Sequence, residues 1–570
     1  MNRKVDPSFY RYRRIFLLAL FGLFALVLIL KAAHLQIVDK EFLQNQAQAR
    51  HLRLLELPAH RGTIRDRNQE PLAISTPVDS IWANPKKLLT ERKQLAILAK
   101  QIKRDPDELL QVLSSHADKE FVYLKRHLSP SQAQEVADLK IPGVAVQREY
   151  RRFYPTGEVG AQVLGFTSID DEGQEGLELT YNEWLQGQVG SKRVIIDSLG
   201  RAIQDVELMK EPQNGKDLII SIDMRLQYLA YRELKAAVIE NKAKTASAVI
   251  LDVQTGEVLA MVNQPSTNPN GRNARDNQGF RNRGVTDLFE PGSTIKPFAM
   301  AGALEGGLVF PDTPIDTRPG TMRVGRATVR DVHDYGMLTA TSVITKSSNV
   351  GIAKIAMTME PEDLWSIYSK VGFGTLTSSG FKGESPGVLT DPKGWGLIEQ
   401  VTLSFGYGLS VTPLQLAQAY SVFANNGVLK PVSFLKVDKA PEGRRVMSEK
   451  TARIVNGMMA TVVSKEGTAI QAAVPGYQAA GKTGTVKKSI AGGYAEKQYL
   501  SVFAGFVPVN NPRLVMVILV DEPSAGIYYG GAVAAPVFSK VMTGAMRLLN
   551  VPPDRPKAQE AVSAKVGDSA

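Results

Sequence analysis

Glu290-Pro291-Gly292-Ser293-Thr294-Ile295-Lys296 separates two textures of this 570-residue chain. Before it runs an irregular Gly/Asn/Arg-rich stretch, Gln264 to Gly284. After it comes a helical pattern through Phe298, Ala299, Met300, Ala301, Ala303 and Leu304. Pro-Gly marks a turn, and the Ser that follows stands where a helix begins. Ser293 and Lys296 are three apart, so on a started helix they share one face with Cβ atoms about 5–6 Å apart. A hydroxyl beside an amine at a helix N-terminus suits an activated nucleophile. The spacing alone decides nothing, because Ser379-Gly380-Phe381-Lys382 and Ser433-Phe434-Leu435-Lys436 repeat it. A capping Ser with a solvated Lys accounts for any single case.

Composition narrows the chemistry. Apolar residues make up 44% and charged residues 22%, ordinary for a globular protein. At ~150 residues per domain, three or four units fit the length. The net charge of +11 points to anionic surroundings, a membrane face or an acidic polymer. No compact Lys/Arg block with interleaved aromatics argues for nucleic acid. With no cysteine, disulfides, thiolate nucleophiles and Cys-type metal sites are excluded. The six histidines (His34, His51, His60, His116, His127, His333) have no metal-ligand spacing, so neither a metal nor a cofactor is expected. Lys remains as the natural base beside a Ser.

From Ile15 to Leu30 the chain is apolar without a break, and the trend continues to Val38 past Lys31 and His34. Residues 15–38 are therefore expected to cross a membrane, with the two polar side chains snorkelling. Arg3, Lys4, Arg11, Arg13 and Arg14 precede the run against one acid, Asp6, which predicts a cytoplasmic tail over 1–14 and everything after ~38 outside. No A-x-A-like site follows, so an uncleaved, single-pass anchor is favoured over a signal peptide. Glu41 to Arg53 reads as helical. Residues 39–215 read as a mixed α/β module poor in catalytic equipment, with helical periodicity over Lys86–Leu113 and Ser129–Leu139. Two dense blocks stand out there, Arg61 to Asn68 and Arg152-Phe153-Tyr154-Pro155 through Glu178, and interlocking structural ion pairs explain them without a nucleophile or metal.

The texture changes near 216. A strand, Leu218 to Asp223, precedes an amphipathic helix, Met224 to Val238. Ala246–Val253 and Glu257–Val262 flank a Gly-containing turn and predict an antiparallel hairpin. Leu500–Val507 and Leu514–Val520 predict another. Strands at both ends with helices between them predict an α+β domain over 216–550 whose sheet joins early and late segments. Residues 551–570, rich in Pro, Ala, Lys and Ser, are expected to be a disordered tail.

Two motifs follow Ser293 in order. Ser347-Ser348-Asn349 supplies a hydroxyl and a carboxamide at the neck of a helix. Lys482-Thr483-Gly484-Thr485, the one K-[ST]-G in the chain, precedes the late hairpin. A further S-x-N, Ser266-Thr267-Asn268, reads as a plain turn. S-x-x-K, S-x-N and K-T-G, with gaps of 54 and 135 residues, form the motif set of β-lactamases and penicillin-binding proteins. Neither Ser379 nor Ser433 is followed by an S-x-N before Lys482, so the order singles out Ser293.

On these motifs, on Gly173–Glu178 and on Phe405-Gly406-Tyr407-Gly408, the chain resembles a class B penicillin-binding protein, most of all the division-specific penicillin-binding protein 3 type. The resemblance runs from the anchor to about residue 550 and includes the pedestal blocks Arg61–Ala73 and Arg152–Phe166, with Gln69 standing where the first of them usually has Gly. It implies an elongated mixed α/β pedestal, dimerisation-like, over 39–215 and a β-lactamase-like transpeptidase domain with a central antiparallel sheet flanked by helices. It implies a peptidoglycan D,D-transpeptidase, acting on stem pentapeptides in septal wall synthesis and trapped covalently at Ser293 by β-lactams. Carried over position by position, Ser293 is the nucleophile, Lys296 its base, Ser347 a proton relay and Asn349 a clamp. Lys482 and Thr483 bind the substrate carboxylate, Gly484 admits the substrate backbone, and the N–H groups of Ser293 and Thr485 form the oxyanion hole. No glycosyltransferase domain precedes the pedestal, so a membrane-embedded glycan polymerase and division proteins are the implied partners at a bacterial inner membrane, with the catalytic domain periplasmic. An elongation-specific transpeptidase, a β-lactamase or D,D-carboxypeptidase, and a non-catalytic division scaffold are the other readings.

Overall fold

A computed structural model describes residues 7–41, 52–196, 202–271, 277–490 and 492–555. Arg3, Lys4 and Asp6, most of the expected helix 41–53 and most of the expected tail 551–570 lie outside these residues. Helix α1 (Pro7–Ala33) begins eight residues before the apolar run and continues through one wider turn to Val38. Its 28-residue stretch Arg11–Val38 is apolar and wholly unburied, as a single-pass membrane anchor would be.

The chain forms two compact units, each assembled from separated segments. The first contains residues 1–59, 77–150 and 187–214. A three-stranded antiparallel sheet joins Leu52–Leu57, Gly190–Ile196 and Ala202–Lys210. Arg53 thus lies in a strand, not in the expected helix. The periodic stretch 86–113 is three helices rather than one. Asp105 caps the third, its side chain accepting from the N–H groups of Asp107 and Glu108, and Pro106 takes the first helical position. Ser129 caps Pro130–Asp138 in a capping box with Gln132.

The second unit contains residues 60–76, 151–186 and 215–570. Its sheet has five strands: β1 (Thr245–Asp252), β2 (Val258–Gln264), β3 (Ala480–Ile490), β4 (Gly493–Val507) and β5 (Leu514–Asp521). Their order is β2-β1-β5-β4-β3, antiparallel throughout, so early and late segments do share one sheet and β3 is an edge. Both alternating sets of side chains in β1, β2 and β5 are buried, which requires cover on both faces. Helices α2 (Met224–Glu240) and α8 (Ala535–Leu548) pack on each other and on the sheet. Helices α6 (Pro413–Ala424) and α7 (Glu449–Val462) form a second such layer, with α3 (Lys296–Glu305) against α7. The expected strand 218–223 is cut to Leu218–Ile219, because Asp223 is already the cap of α2.

In this unit the dense early blocks become one buried network. Glu178 accepts from Arg61 Nε and Arg152 Nε, both at 2.6 Å, and its carbonyl accepts from Arg61 Nη2 at 2.8 Å. Asn182 Oδ1 takes a further Arg61 donor at 2.9 Å. Gln69 sits at φ +74°, in the left-handed region that costs a non-glycine residue ~1 kcal/mol or more, which is the physical reason Gly suits this turn.

Candidate active site

The decisive turn folds tightly before the helix starts. Gly292–Ile295 forms one 3₁₀ turn, and α3 begins at Lys296 with Pro297 next, where its missing N–H is harmless. Gly292 adopts φ +53° and its N–H donates to Gly406 O at 3.1 Å. A Cβ on Gly406 would fall 2.1 Å from Gly292 O, so only glycine lets that loop reach the turn. On the strand side, a Cβ on Gly484 would approach Pro291 O to 3.0 Å. Ser293 is thus held between a glycine loop and β3. It is half-buried, whereas Lys296 is fully buried.

The S-x-N motif is a break between two helices. Residues 340–346 form a helix of their own, α4 (Ala340–Lys346). Ser347 ends it in the left-handed conformation (φ 61°, ψ 36°), and Ser348 caps α5 (Asn349–Ala356) through Gly351 N. The kink turns both oxygens of Ser347 toward the lysines. Lys296 Nζ donates to Ser347 O at 2.5 Å and Asn349 Oδ1 at 2.7 Å, with Ser347 Oγ at 3.3 Å. Lys482 Nζ, from β3, donates to the same Ser347 Oγ at 2.8 Å and to Thr483 O at 3.2 Å. Thr483 Oγ1 shares a hydrogen bond with Thr468 Oγ1 at 2.8 Å, and Thr485 Oγ1 accepts from Gly530 N at 3.0 Å.

All acceptors of the two ammonium groups are neutral, and no carboxylate lies within ion-pair distance of either among the described residues. Both lysines have no exposed surface. Burial therefore pushes Lys296 down to about 7, against an upward pull from the Asp331 carboxylate. Lys482 is pushed well below its ordinary range, first by burial and then by the charge of Lys296. An amine that is half neutral near pH 7 can take a proton, and a hydroxyl shared by two amines can pass one on.

Sequence reasoning overlooked Asp331. Its carboxylate accepts from Ser348 Oγ at 2.6 Å, Asn349 N at 2.5 Å and Val350 N at 3.0 Å, fixing the S-x-N turn at the N-terminus of α5. No motif marks it, because the residue lies 17 positions before Ser348 and reaches it through the fold. The decoys lie elsewhere. Ser379 Oγ donates to Glu384 at 2.5 Å, Ser433 Oγ to Leu435 O at 2.8 Å, and Ser266 Oγ to Glu158 O at 2.5 Å.

The chain matches known proteins over most of its length. The family model for the penicillin-binding protein transpeptidase domain matches residues 246–543, and that for the penicillin-binding protein dimerisation domain matches 56–220. The probable peptidoglycan D,D-transpeptidase PbpC of Pseudomonas aeruginosa is 42% identical over 97% of this chain and 98% of its own length. The peptidoglycan D,D-transpeptidase FtsI of Escherichia coli K12 is 41% identical over 92% of this chain and 90% of its own. Among solved structures, the transpeptidase domain of Burkholderia pseudomallei penicillin-binding protein 3 is 45% identical with a TM-score of 0.55, covering 59% of this chain and 98% of that one.

Proposed function

The chain belongs to the penicillin-binding protein transpeptidase family and is a peptidoglycan D,D-transpeptidase, and from that premise we propose that Ser293 is its nucleophile and Lys296 its base. The observation that carries the assignment is the fully buried amine of Lys296, three residues after Ser293 and hydrogen-bonded only to neutral oxygens, where burial pushes it down to about 7.

The reaction is acyl transfer in two steps. Ser293 Oγ attacks the carbonyl of the penultimate D-Ala of a stem pentapeptide while its proton passes to Lys296 Nζ. The N–H groups of Ser293 and Thr485 receive the oxyanion, where one lost donor costs ~10²–10³ in rate. As the peptide bond breaks, Ser347 Oγ relays a proton to the departing D-Ala amine. An amino group of a neighbouring stem then attacks the Ser293 ester, forming the cross-link and returning the hydroxyl. Asn349 orients Lys296 and the substrate amide.

Lys482 and Thr483 receive the terminal carboxylate, and Gly484 leaves room for substrate backbone along the edge strand β3. An arriving carboxylate also supplies the anion this cationic pocket lacks, which favours the charged form of Lys482 in the complex. β-Lactams enter as mimics and acylate Ser293.

Residues 39–215 act as the pedestal for the catalytic domain 216–550. The N-terminus is cytoplasmic and the catalytic domain periplasmic at the inner membrane, where a glycan polymerase and division proteins are the partners in septal synthesis. The test is labelling with a fluorescent penicillin followed by peptide mapping. Wild type is expected to carry the adduct on Ser293 and Ser293→Ala to carry none at unchanged thermal stability; labelling of the Ala variant overturns the assignment.

A further inference from the structure

The outer end of β3 is held by hydrogen bonds more than by packing. Up to Val486 the strand is buried or half-buried, whereas Lys487, Ser489 and Ile490 are exposed. Beneath it lies a cavity of about 160 Å³, lined by Phe289, Glu290, Lys487, Lys488, Leu500 and Leu519. Three contacts span this weakly packed region. Glu290 Oε1 accepts from Gly408 N at 2.9 Å and from the hydroxyl of Tyr494, near the tip of the β3–β4 hairpin, at 3.1 Å. Tyr407 packs edge-on against Tyr494 at 5.4 Å. On its other side Lys488 is bonded to Asp521 and Glu522, which ties the strand to β5 and not to the nucleophile.

We propose that Glu290 is a positioning residue for acylation: with Tyr407 and Tyr494 it clamps the outer end of β3 to the turn that carries Ser293. Glu290 stands three residues before Ser293, and it reaches at once the glycine loop that seats Gly292 and the hairpin whose strand carries Lys482–Thr485. Its other oxygen, Oε2, is buried without a partner. An under-satisfied buried carboxylate costs stability, so it is out of place where an apolar side chain would pack. A role in geometry accounts for it, because a shift of about 1 Å at reacting groups can cost ~10²-fold in rate.

This inference rests on the Ser293 reading, and the experiment separates the two. Stopped-flow acylation by a chromogenic penicillin, resolved into binding (Ks) and chemistry (k2), is measured for wild type, Glu290→Ala, Glu290→Gln, Tyr494→Phe and Glu290→Ala/Tyr494→Phe. Glu290→Ala is expected to lower k2 by roughly 10–100-fold with Ks within about threefold, on the scale of such misplacements. Glu290→Gln keeps a carbonyl oxygen that accepts both hydrogen bonds, and is expected to restore k2 to within about fivefold of wild type. Tyr494→Phe keeps the ring contact and loses only the donor, for an expected drop of about 3–10-fold, in line with one hydrogen bond. The double variant is expected to be no worse than Glu290→Ala, since both changes break one clamp. A k2 within twofold of wild type in Glu290→Ala, an effect confined to Ks, or additive losses in the double variant overturns the clamp. If Glu290→Ala fails to fold, an unchanged k2 in Tyr494→Phe overturns it. Absence of acylation at Ser293 in wild type refutes the nucleophile assignment instead.

Discussion

Two pairs of buried cations in the larger unit come to opposite ends. Arg61 and Arg152 converge on Glu178, whose two carboxylate oxygens each accept one Nε at 2.6 Å. Lys296 and Lys482 converge on Ser347 Oγ, a neutral oxygen. A guanidinium cannot shed its proton in a protein, so its burial demands an anion and a full set of acceptors. A lysine can meet the same desolvation by giving up its proton, which is what a depressed pKa means. The arginine pair therefore acts as a structural lock, and the lysine pair as a store of basicity. The type of cation and the presence of the anion, not the depth of burial, make the difference.

Changing cation type at the lysine site is expected to have the largest effect. Lys296→Arg keeps the charge and a comparable length but removes the base, so penicillin acylation should fall ~10³–10⁴-fold, the scale of a lost general base. Acylation within tenfold of wild type would sink the role given to Lys296. Removing the anion from the arginine site comes next. Glu178→Ala strands two buried guanidinium groups, for an expected loss of ~3–5 kcal/mol in urea unfolding. A loss below about 1 kcal/mol would show that the network is not a lock.

Titration separates the pairs more gently. Lys296 reacts in its neutral form, so acylation should fall about tenfold per pH unit below about 7 and level off above it. A flat profile between pH 5.5 and 8 contradicts the shift. Its folded value of about 7 lies below the ordinary 10.5, so the unfolded chain binds more protons between them, and this group makes stability rise with pH across that window. The smallest expected effects are at the look-alikes: Ser379→Ala and Ser433→Ala should label with penicillin at the wild-type rate, and loss of labelling in either would return the choice of nucleophile to all three.

Much of the site was legible because its parts are ordered along the chain. β-Rich runs predicted the early and late hairpins, and a Gly-containing turn placed the connection of the early one. The parts that were not legible depend on long-range approach. Asp331 carries no spacing signal, yet it pins the S-x-N turn. Glu290 and Tyr494 are 204 residues apart and meet only because β3 and β4 fold back on the nucleophile's turn. The grouping of residues 60–76 and 151–186 with the catalytic segment is likewise a matter of contacts. A window of sequence cannot report contacts between segments separated by a hundred residues.

By itself the sequence determined the apolar N-terminal helix, the absence of thiol chemistry and which Ser-x-x-Lys precedes the other two motifs, since composition, hydropathy and order are properties of the covalent chain. Tertiary structure alone decided that two lysines 186 positions apart share one hydroxyl with no carboxylate within ion-pair distance among the described residues. A pKa is set by the solvent and charges around a group, and for Lys296 those are its complete burial, which lowers it, and the Asp331 carboxylate, which pulls it back up. The heptapeptide 290–296 holds both the proposed nucleophile and the proposed base, and the fold around it supplies the burial that lowers Lys296.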